Sequence, residues 1–204
     1  TRNIILKPLA AIFLLLCFFS CRDDNVNAET SFGVFRVIDD NTVEMNGEIG
    51  SSTLDDFNDL IDSYPNINKI NIDEVPGSDD DAVNLQVAAK VHQLNIATHL
   101  IDEGLIASGG TDFFLAGTTR TKGVNTKIGV HSWAGEDNNG NQITATDFPV
   151  GDMEHQSYIN YYVSVGFTQQ QAEDFYYFTI NAAPAESIHY MTEAEIEEYN
   201  ILKP

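Results

Sequence analysis

The chain has 204 residues and sets 31 acidic side chains against 10 basic ones, a formal charge of −21. Such a surface repels nucleic acid and anionic membranes and offers no steering toward phosphates, which excludes polyanion-binding roles. Its two cysteines, Cys17 and Cys21, both fall at the start of the chain, so no disulfide framework can brace the remainder.

Arg2 and Lys7 precede a charge-free run over residues 9–19 that is short for a bilayer span, so residues 1–20 read as an export signal. The Ser20-Cys21 pair that follows resembles a bacterial lipobox, although Phe18 stands where such boxes usually carry leucine. Arg22-Asp23-Asp24 resembles the acidic tag of lipoproteins sent to the cell surface in some Gram-negative bacteria. These resemblances imply a lipid on Cys21, a membrane partner through that anchor, and a place in the cell envelope, at the outer membrane or cell surface. An ordinary secretory signal or membrane anchor is the plainer reading of the same residues. Without the first twenty residues the charge becomes −23, because Arg2 and Lys7 leave and no acidic group does. The 184 residues left suffice for one domain with a substantial core. Residues 21–33 are polar and aperiodic, as a tether would be, and the domain is expected over 34–204.

Within that domain strand-like and helix-like segments alternate. Residues 42–49 have period two and predict a strand. Thr53 is placed to cap a helix that carries Leu54, Phe57, Leu60 and Ile61 at helical spacing and stops before Pro65. Residues 69–75 (KINIDEV) predict a short strand. After Pro76-Gly77-Ser78, the aspartates 79–81 are placed to cap a helix with Val83, Val87, Val91 and Leu94 on one face. Residues 96–100 suggest another strand. Ser108-Gly109-Gly110 then turns into a helix through Ala116, and an apolar strand ends at His131. This alternation predicts an α/β fold with a parallel sheet covered by helices. Residues 134–153 read as loop, 155–178 as one aromatic-rich helix, and 193–199 as a last helix. Six of the eight tyrosines fall over 158–190, a pattern of packed helical faces or subunit contacts more often than of a ligand cradle.

Ser108 and His131 are the chain's best offer of nucleophilic chemistry, because a serine hydroxyl attacks well only when a base in reach takes its proton. The segments ASGGTDFFLAG and KIGVHSW resemble the nucleophile and histidine segments of the Clp protease proteolytic subunit, and more closely those of small envelope proteins in the same Clp/crotonase superfamily. The upstream order of strand, Pro-Gly turn, helix, strand and serine turn matches, and IHYMTEAEIEEYNI is similar to the family's last helix. The likeness covers about residues 42–133 and 186–202. It implies a Clp/crotonase-like spiral of strand–helix units with a helical C-terminal tail. It also implies Ser108 as nucleophile, His131 as general base, and oxyanion donors at the Gly109 N–H and at Gly77 or Ser78. By position in the tail, Glu186 is the acid expected to orient His131, with Asn181 as the competing candidate.

Three positions depart from the family pattern. Ser78 replaces the second glycine of the turn. Asp112 replaces an apolar residue one helical turn after Ser108, where it is expected to face water or to favour the helix start. The acid is the least anchored member. Lys122 or Lys127 as base would give a serine–lysine dyad instead. His92, His99, His155 and His189 show no metal-ligand spacing, and no cofactor motif is present, so neither metal nor cofactor is expected. The resulting expectation is a lipid-anchored envelope serine hydrolase acting on peptide or protein substrates, with a homo-oligomer as its candidate assembly. The alternative is a catalytically inactive Clp-like binding or assembly lipoprotein, and an acyl-CoA-processing crotonase ranks third.

Overall fold

The computed structural model describes residues 30–137 and 139–204. The export signal, Cys21 and most of the expected tether lie outside the described residues.

The spine of the fold is a parallel sheet in the order β3 (Thr42–Met45), β4 (Lys69–Val75), β5 (Ala97–Ala107) and β7 (Lys127–Val130). Helical crossovers join successive strands, as parallel pairing requires. They are α1 (Thr53–Ser63), α2 (Asp81–Gln93) and α3 (Gly109–Leu115). Antiparallel strands finish both edges: β1 (Ser31–Phe32) and β2 (Phe35–Val37) beyond β3, and β10 (His189–Tyr190) beyond β7. The expected tether therefore ends sooner than residue 33, since Ser31 and Phe32 already pair into the sheet and Phe32 is buried. Their apolar-polar alternation is too short to register as a strand by period alone.

β5 is longer than the run over 96–100 suggested, because it serves two neighbours. Its first half pairs with β6 (Arg120–Lys122) and its second half with β7. Between the halves, Glu103 takes φ +63° and the register with β4 shifts. Gly104 belongs at that irregularity: a Cβ there would stand 2.8 Å from the Ile101 carbonyl oxygen and 3.1 Å from that of Asp73.

The core forms where the buried faces of these strands meet the helices. Val43, Met45, Ile70, Ile72 and Val75 from the sheet pack with Phe57, Leu60, Val87, Val91, Phe113 and Phe114, all fully buried. Leu94, expected on the buried face of α2, is instead 42 % exposed because the helix has ended at Gln93. Asp80 caps α2 by accepting from the Val83 N–H, in line with the aspartate run. At α1 the cap position falls to Ser52. Thr53 becomes the first helical residue, and its hydroxyl accepts from the Gly50 N–H.

Two segments differ from expectation in the C-terminal half. Residues 134–153 contain a small hairpin, β8 (Ala134–Glu136) with β9 (Gln142–Thr144). The single helix expected over 155–178 is two, α4 (Gln156–Ser164) and α5 (Gln169–Ala182). Gly166 at φ +103° breaks it, and Thr168 restarts it through a reciprocal capping box with Gln171. Both signals stand in the sequence as Gly-x-Thr-x-x-Gln, masked by the aromatic run around them.

The last helix, α6 (Glu193–Glu198), and the tail after it are held by Arg120. Only 4 % exposed, its guanidinium donates to the carbonyls of Ile201 (2.6 Å), Asn200 (3.0 Å), Leu115 and Gly117 (both 3.3 Å) and lies 5.4 Å from the Phe167 ring centre. Burial pushes its pKa down to about 10, so it stays charged at neutral pH. No carboxylate pairs with it among the described residues. Arg120→Met would leave four carbonyls without their donor. We expect it to cost about 3 kcal/mol, read as a lower urea midpoint at unchanged slope.

Candidate active site

The parallel pairing of β5 with β7 decides where the chemistry can sit. Ala107 is in register with Gly129, so Ser108 comes level with Val130 and His131 follows one residue later at the same carboxyl edge. Ser108 is the residue after β5, and His131 is the residue after β7. Both line one pocket, with Asp81, Thr111, Asp112, Val130, Trp133, Tyr158, Tyr162, Tyr176, Thr179 and Ile180.

Ser108 has φ +52° and ψ −128°, a conformation that non-glycine residues rarely adopt. Such strain at a sharp strand-to-helix turn is the backbone signature of a nucleophile elbow. Neighbouring bonds hold it. The Ser108 N–H donates to the Gly129 carbonyl (3.1 Å), and the Ser108 carbonyl accepts from the N–H groups of Thr111 (2.8 Å) and Asp112 (3.2 Å). The Thr111 hydroxyl also donates to the Gly129 carbonyl (2.8 Å). Although Ser108 is the N-cap residue of α3, its hydroxyl makes no capping bond, so the oxygen is left for other use.

The Pro-Gly turn approaches this elbow closely. A Cβ on Gly77 would lie 3.7 Å from the Ser108 Cβ, and one on Gly109 would collide with the Ser78 side chain. Gly109 is therefore required by close approach. Asn84, which sequence reasoning did not single out, fixes that contact. It is fully buried on α2, and its Nδ2 donates to the Gly109 carbonyl (2.8 Å). The residues named for the oxyanion hole (Gly77, Ser78 and Gly109) thus lie together beside Ser108.

His131 makes no hydrogen bond with Ser108, and its Nδ1 is buried with no partner. The expected contact with Glu186 is not made. Antiparallel pairing sets His189 opposite Val130; carrying that register one step further places apolar Ile188 opposite His131. Glu186 falls two residues beyond, exposed on a turn closed by the Ser187 N–H and the Pro184 carbonyl, and it faces a groove with Ser132, Thr144 and Thr146. Asn181 is exposed too, donating to the Tyr177 carbonyl (2.6 Å). The lysines are engaged elsewhere: Lys122 with Glu193 (2.8 Å), and Lys127 over the Tyr190 ring (5.5 Å).

Asp112 corrects a second expectation, for it points into the pocket rather than toward water. Its Oδ1 accepts from the Tyr162 hydroxyl (2.6 Å), and its main-chain carbonyl accepts from the Tyr161 hydroxyl (2.6 Å). Asp81, the first residue of α2, supplies a second carboxylate, which accepts from the Tyr158 hydroxyl (2.5 Å) and from the Ser78 hydroxyl. Behind these, the Trp133 Nε1–H donates to the Tyr176 hydroxyl (3.0 Å), which lies 2.7 Å from His155 Nδ1, while His155 Nε2 is 3.1 Å from the Pro149 carbonyl. A carbonyl only accepts, so Nε2 carries the His155 proton and Nδ1 accepts from Tyr176. The tyrosine cluster is therefore both packed core and pocket wall, and burial pushes the Tyr176 phenol up to about 12. Among the described residues no group of histidine, cysteine and carboxylate side chains is placed to hold a metal ion, and no helix is long and apolar enough to cross a membrane.

Burial pushes the Asp112 carboxyl up to about 7, with the Asp81 charge adding to the rise and the Tyr162 hydrogen bond opposing it. A carboxyl raised in the folded state binds its proton more tightly than in the unfolded chain. The stability it contributes is therefore fully present below the ordinary value of 3.8 and is lost as pH climbs through 7. The loss amounts to about 4 kcal/mol at most. Asp112→Asn cannot ionise and can still accept from Tyr162. We expect it to match the parent near pH 4 and to melt roughly 5–10 °C higher at pH 8, as read by calorimetry.

No protein-family model matches the chain, and no curated protein matches it. Solved structures do. The 1510-N membrane-bound stomatin-specific protease, captured as a mutant in complex with a substrate peptide, superposes at a TM-score of 0.51 and 24% identity, covering 78% of this chain and 71% of that one. A second mutant of the same protease gives 0.52 at 23% identity, over 78% and 75%. A ClpP1 mutant from Listeria monocytogenes gives 0.51 at 17% identity, over 80% and 89%. The chain therefore has the mixed α/β fold of the Clp-type proteases, a central sheet with covering helices.

Proposed function

We propose that this chain is a serine peptidase of the bacterial cell envelope, held at a membrane by a lipid on Cys21. The observation that carries the catalytic half is the strained Ser108, its hydroxyl uncommitted, in one pocket with His131. His131 accepts the Ser108 proton as Oγ bonds to the substrate carbonyl carbon, and the C=O electron pair moves to oxygen. The resulting oxyanion is met by N–H groups of Gly109 and of Gly77 or Ser78, each worth about 3 kcal/mol. Collapse breaks the C–N bond, and His131 returns the proton to the departing amine. Water then repeats the sequence and frees the acid. A resting Ser–His pair out of hydrogen-bond range is compatible with this chemistry, because catalytic bonds often tighten only around substrate.

The rival reading, a non-catalytic binding protein on the same fold, is favoured by one feature: the buried Nδ1 of His131 has no acid to orient it. Fluorophosphonate labelling separates the two. We expect the wild type to be labelled on Ser108 and Ser108→Ala to be unlabelled at an almost unchanged melting temperature. A wild type that resists labelling, or a Ser108→Ala variant that labels equally well, would favour the binding protein.

The lipid rests on Ser20-Cys21 after the apolar run. Each buried acyl CH₂ contributes about 0.8 kcal/mol, so two chains suffice to hold a domain at a bilayer. We expect Cys21→Ser to move the protein from the membrane fraction to the soluble one. Mass spectrometry of the native N-terminus should find an acylated Cys21; an unmodified N-terminus elsewhere would refute the anchor.

A further inference from the structure

The walls of the Ser108 pocket combine aromatic faces with negative charge and lack a matching cation. Asp81 enters from α2 and Asp112 from α3, so the two carboxylates belong to separate elements. Tyr158 and Tyr162 come from α4, Tyr176 from α5, and Trp133 from the segment after β7. No lysine or arginine lines the pocket, and no ion pair involves either carboxylate among the described residues.

The carboxylates are also incompletely satisfied. Asp81 accepts on both oxygens, from Ser78 and Tyr158, whereas Asp112 accepts only on Oδ1, from Tyr162, and its Oδ2 is left without a donor. Phenol hydroxyls solvate a carboxylate without neutralising it, and the two acids repel each other across the pocket. Asp81 is exposed and Asp112 half-buried, so a positive group entering from solvent can reach both, and tyrosine and tryptophan faces attract such a group through their ring quadrupoles. A long basic side chain would also lay its methylene stem along those rings. The field of the whole molecule has the same sense, since a formal charge of −21 draws cationic partners and repels acidic ones.

We propose that the pocket takes the side chain next to the scissile bond and selects lysine or arginine there, so that the substrates are basic peptides or basic protein segments. This rests on the serine peptidase reading above, since Ser108 and His131 line the same pocket. Asp112 supplies the open acceptor, Asp81 the second charge, and Tyr158, Tyr162 and Tyr176 the apolar sleeve.

The test uses the purified full-length chain and two peptidyl diphenyl phosphonates that differ only in the side chain beside phosphorus, aminobutyl in one and isobutyl in the other. Ser108 Oγ bonds to phosphorus as a P–O bond to phenoxide breaks, and the hydroxyl proton passes through His131 to the phenoxide. A fluorophosphonate without any recognition side chain reports the nucleophile separately. We expect the aminobutyl probe to label Ser108 at least about tenfold faster than the isobutyl probe, and Asp112→Asn and Asp81→Asn each to shrink that ratio severalfold. Fluorophosphonate labelling with an isobutyl preference, or with no preference, overturns the proposal and leaves the peptidase reading standing. An unchanged ratio in both variants overturns it as well. Failure of all three probes at Ser108 removes the peptidase reading and this proposal together.

Discussion

The Gly129 carbonyl is the point on which the rest of the site turns. It accepts from the main chain of Ser108 and from the hydroxyl of Thr111, so a single oxygen on β7 ties down both sides of the elbow. A non-glycine residue at φ +52° costs about 1–3 kcal/mol and persists only where its surroundings leave no alternative. Here the surroundings include the parallel β5–β7 register, the Gly109 main chain backed against Ser78 and held by Asn84, and Gly110 seated against the Val75 carbonyl. Were β7 to slip by one residue, Gly129 would lose both donors, and His131 would leave the carboxyl edge beside Ser108.

That constraint explains why so much polar structure is buried around one serine. Asn84, Thr111 and Ser132 are all buried, and Thr111 and Asn84 spend their hydrogen bonds on the main chain of the elbow or of β7 rather than on one another. Buried polar groups of this kind are favourable only when satisfied. Four buried atoms among the described residues break the pattern: Asn71 Oδ1, Thr126 Oγ1, Asn84 Oδ1 and His131 Nδ1. The last two belong to the Ser108 surroundings, Asn84 through its bond to the Gly109 carbonyl and His131 through the shared pocket.

Much of this was legible in the residue order. Period-two and period-3.6 runs identified β3, β4, β5 and β7 and the helices between them, because burial on a sheet face or a helix stripe writes itself directly into spacing. Small residues around Ser108 and the apolar run before His131 marked the elbow and its neighbour. The breakdowns have physical causes. β6 is three residues long and pairs only because β5 overruns its neighbour. Gly166 was hidden among aromatics that suit helix and core alike. Glu186 was named by its place in the chain, whereas its contact depends on the antiparallel register of β10, which position alone does not convey. Asp112 was judged by the general habit of charged residues at helix starts, and that habit yields here to the tyrosines of α4, whose positions are set by a tertiary contact no local pattern records.

The α4–α5 unit therefore has a role beyond filling space. The parallel sheet and its crossovers place Ser108, Gly77 and Gly109, while the segment after β7 that carries His131 is also tied to the end of α5, where the Ser132 N–H donates to the Ala183 carbonyl (2.9 Å). What those helices add is the far wall. Tyr161 and Tyr162 bond to both the main chain and the side chain of Asp112, Tyr158 to Asp81, and Tyr176 to Trp133 and His155. Every one of these phenols is oriented by a specific acceptor or donor, so the wall is rigid in shape and fixed in polarity. The strand-to-helix turn after β5 thus supplies the elbow, while the helical layer, on which strand register imposes nothing, supplies the phenols that set the polarity of the pocket wall.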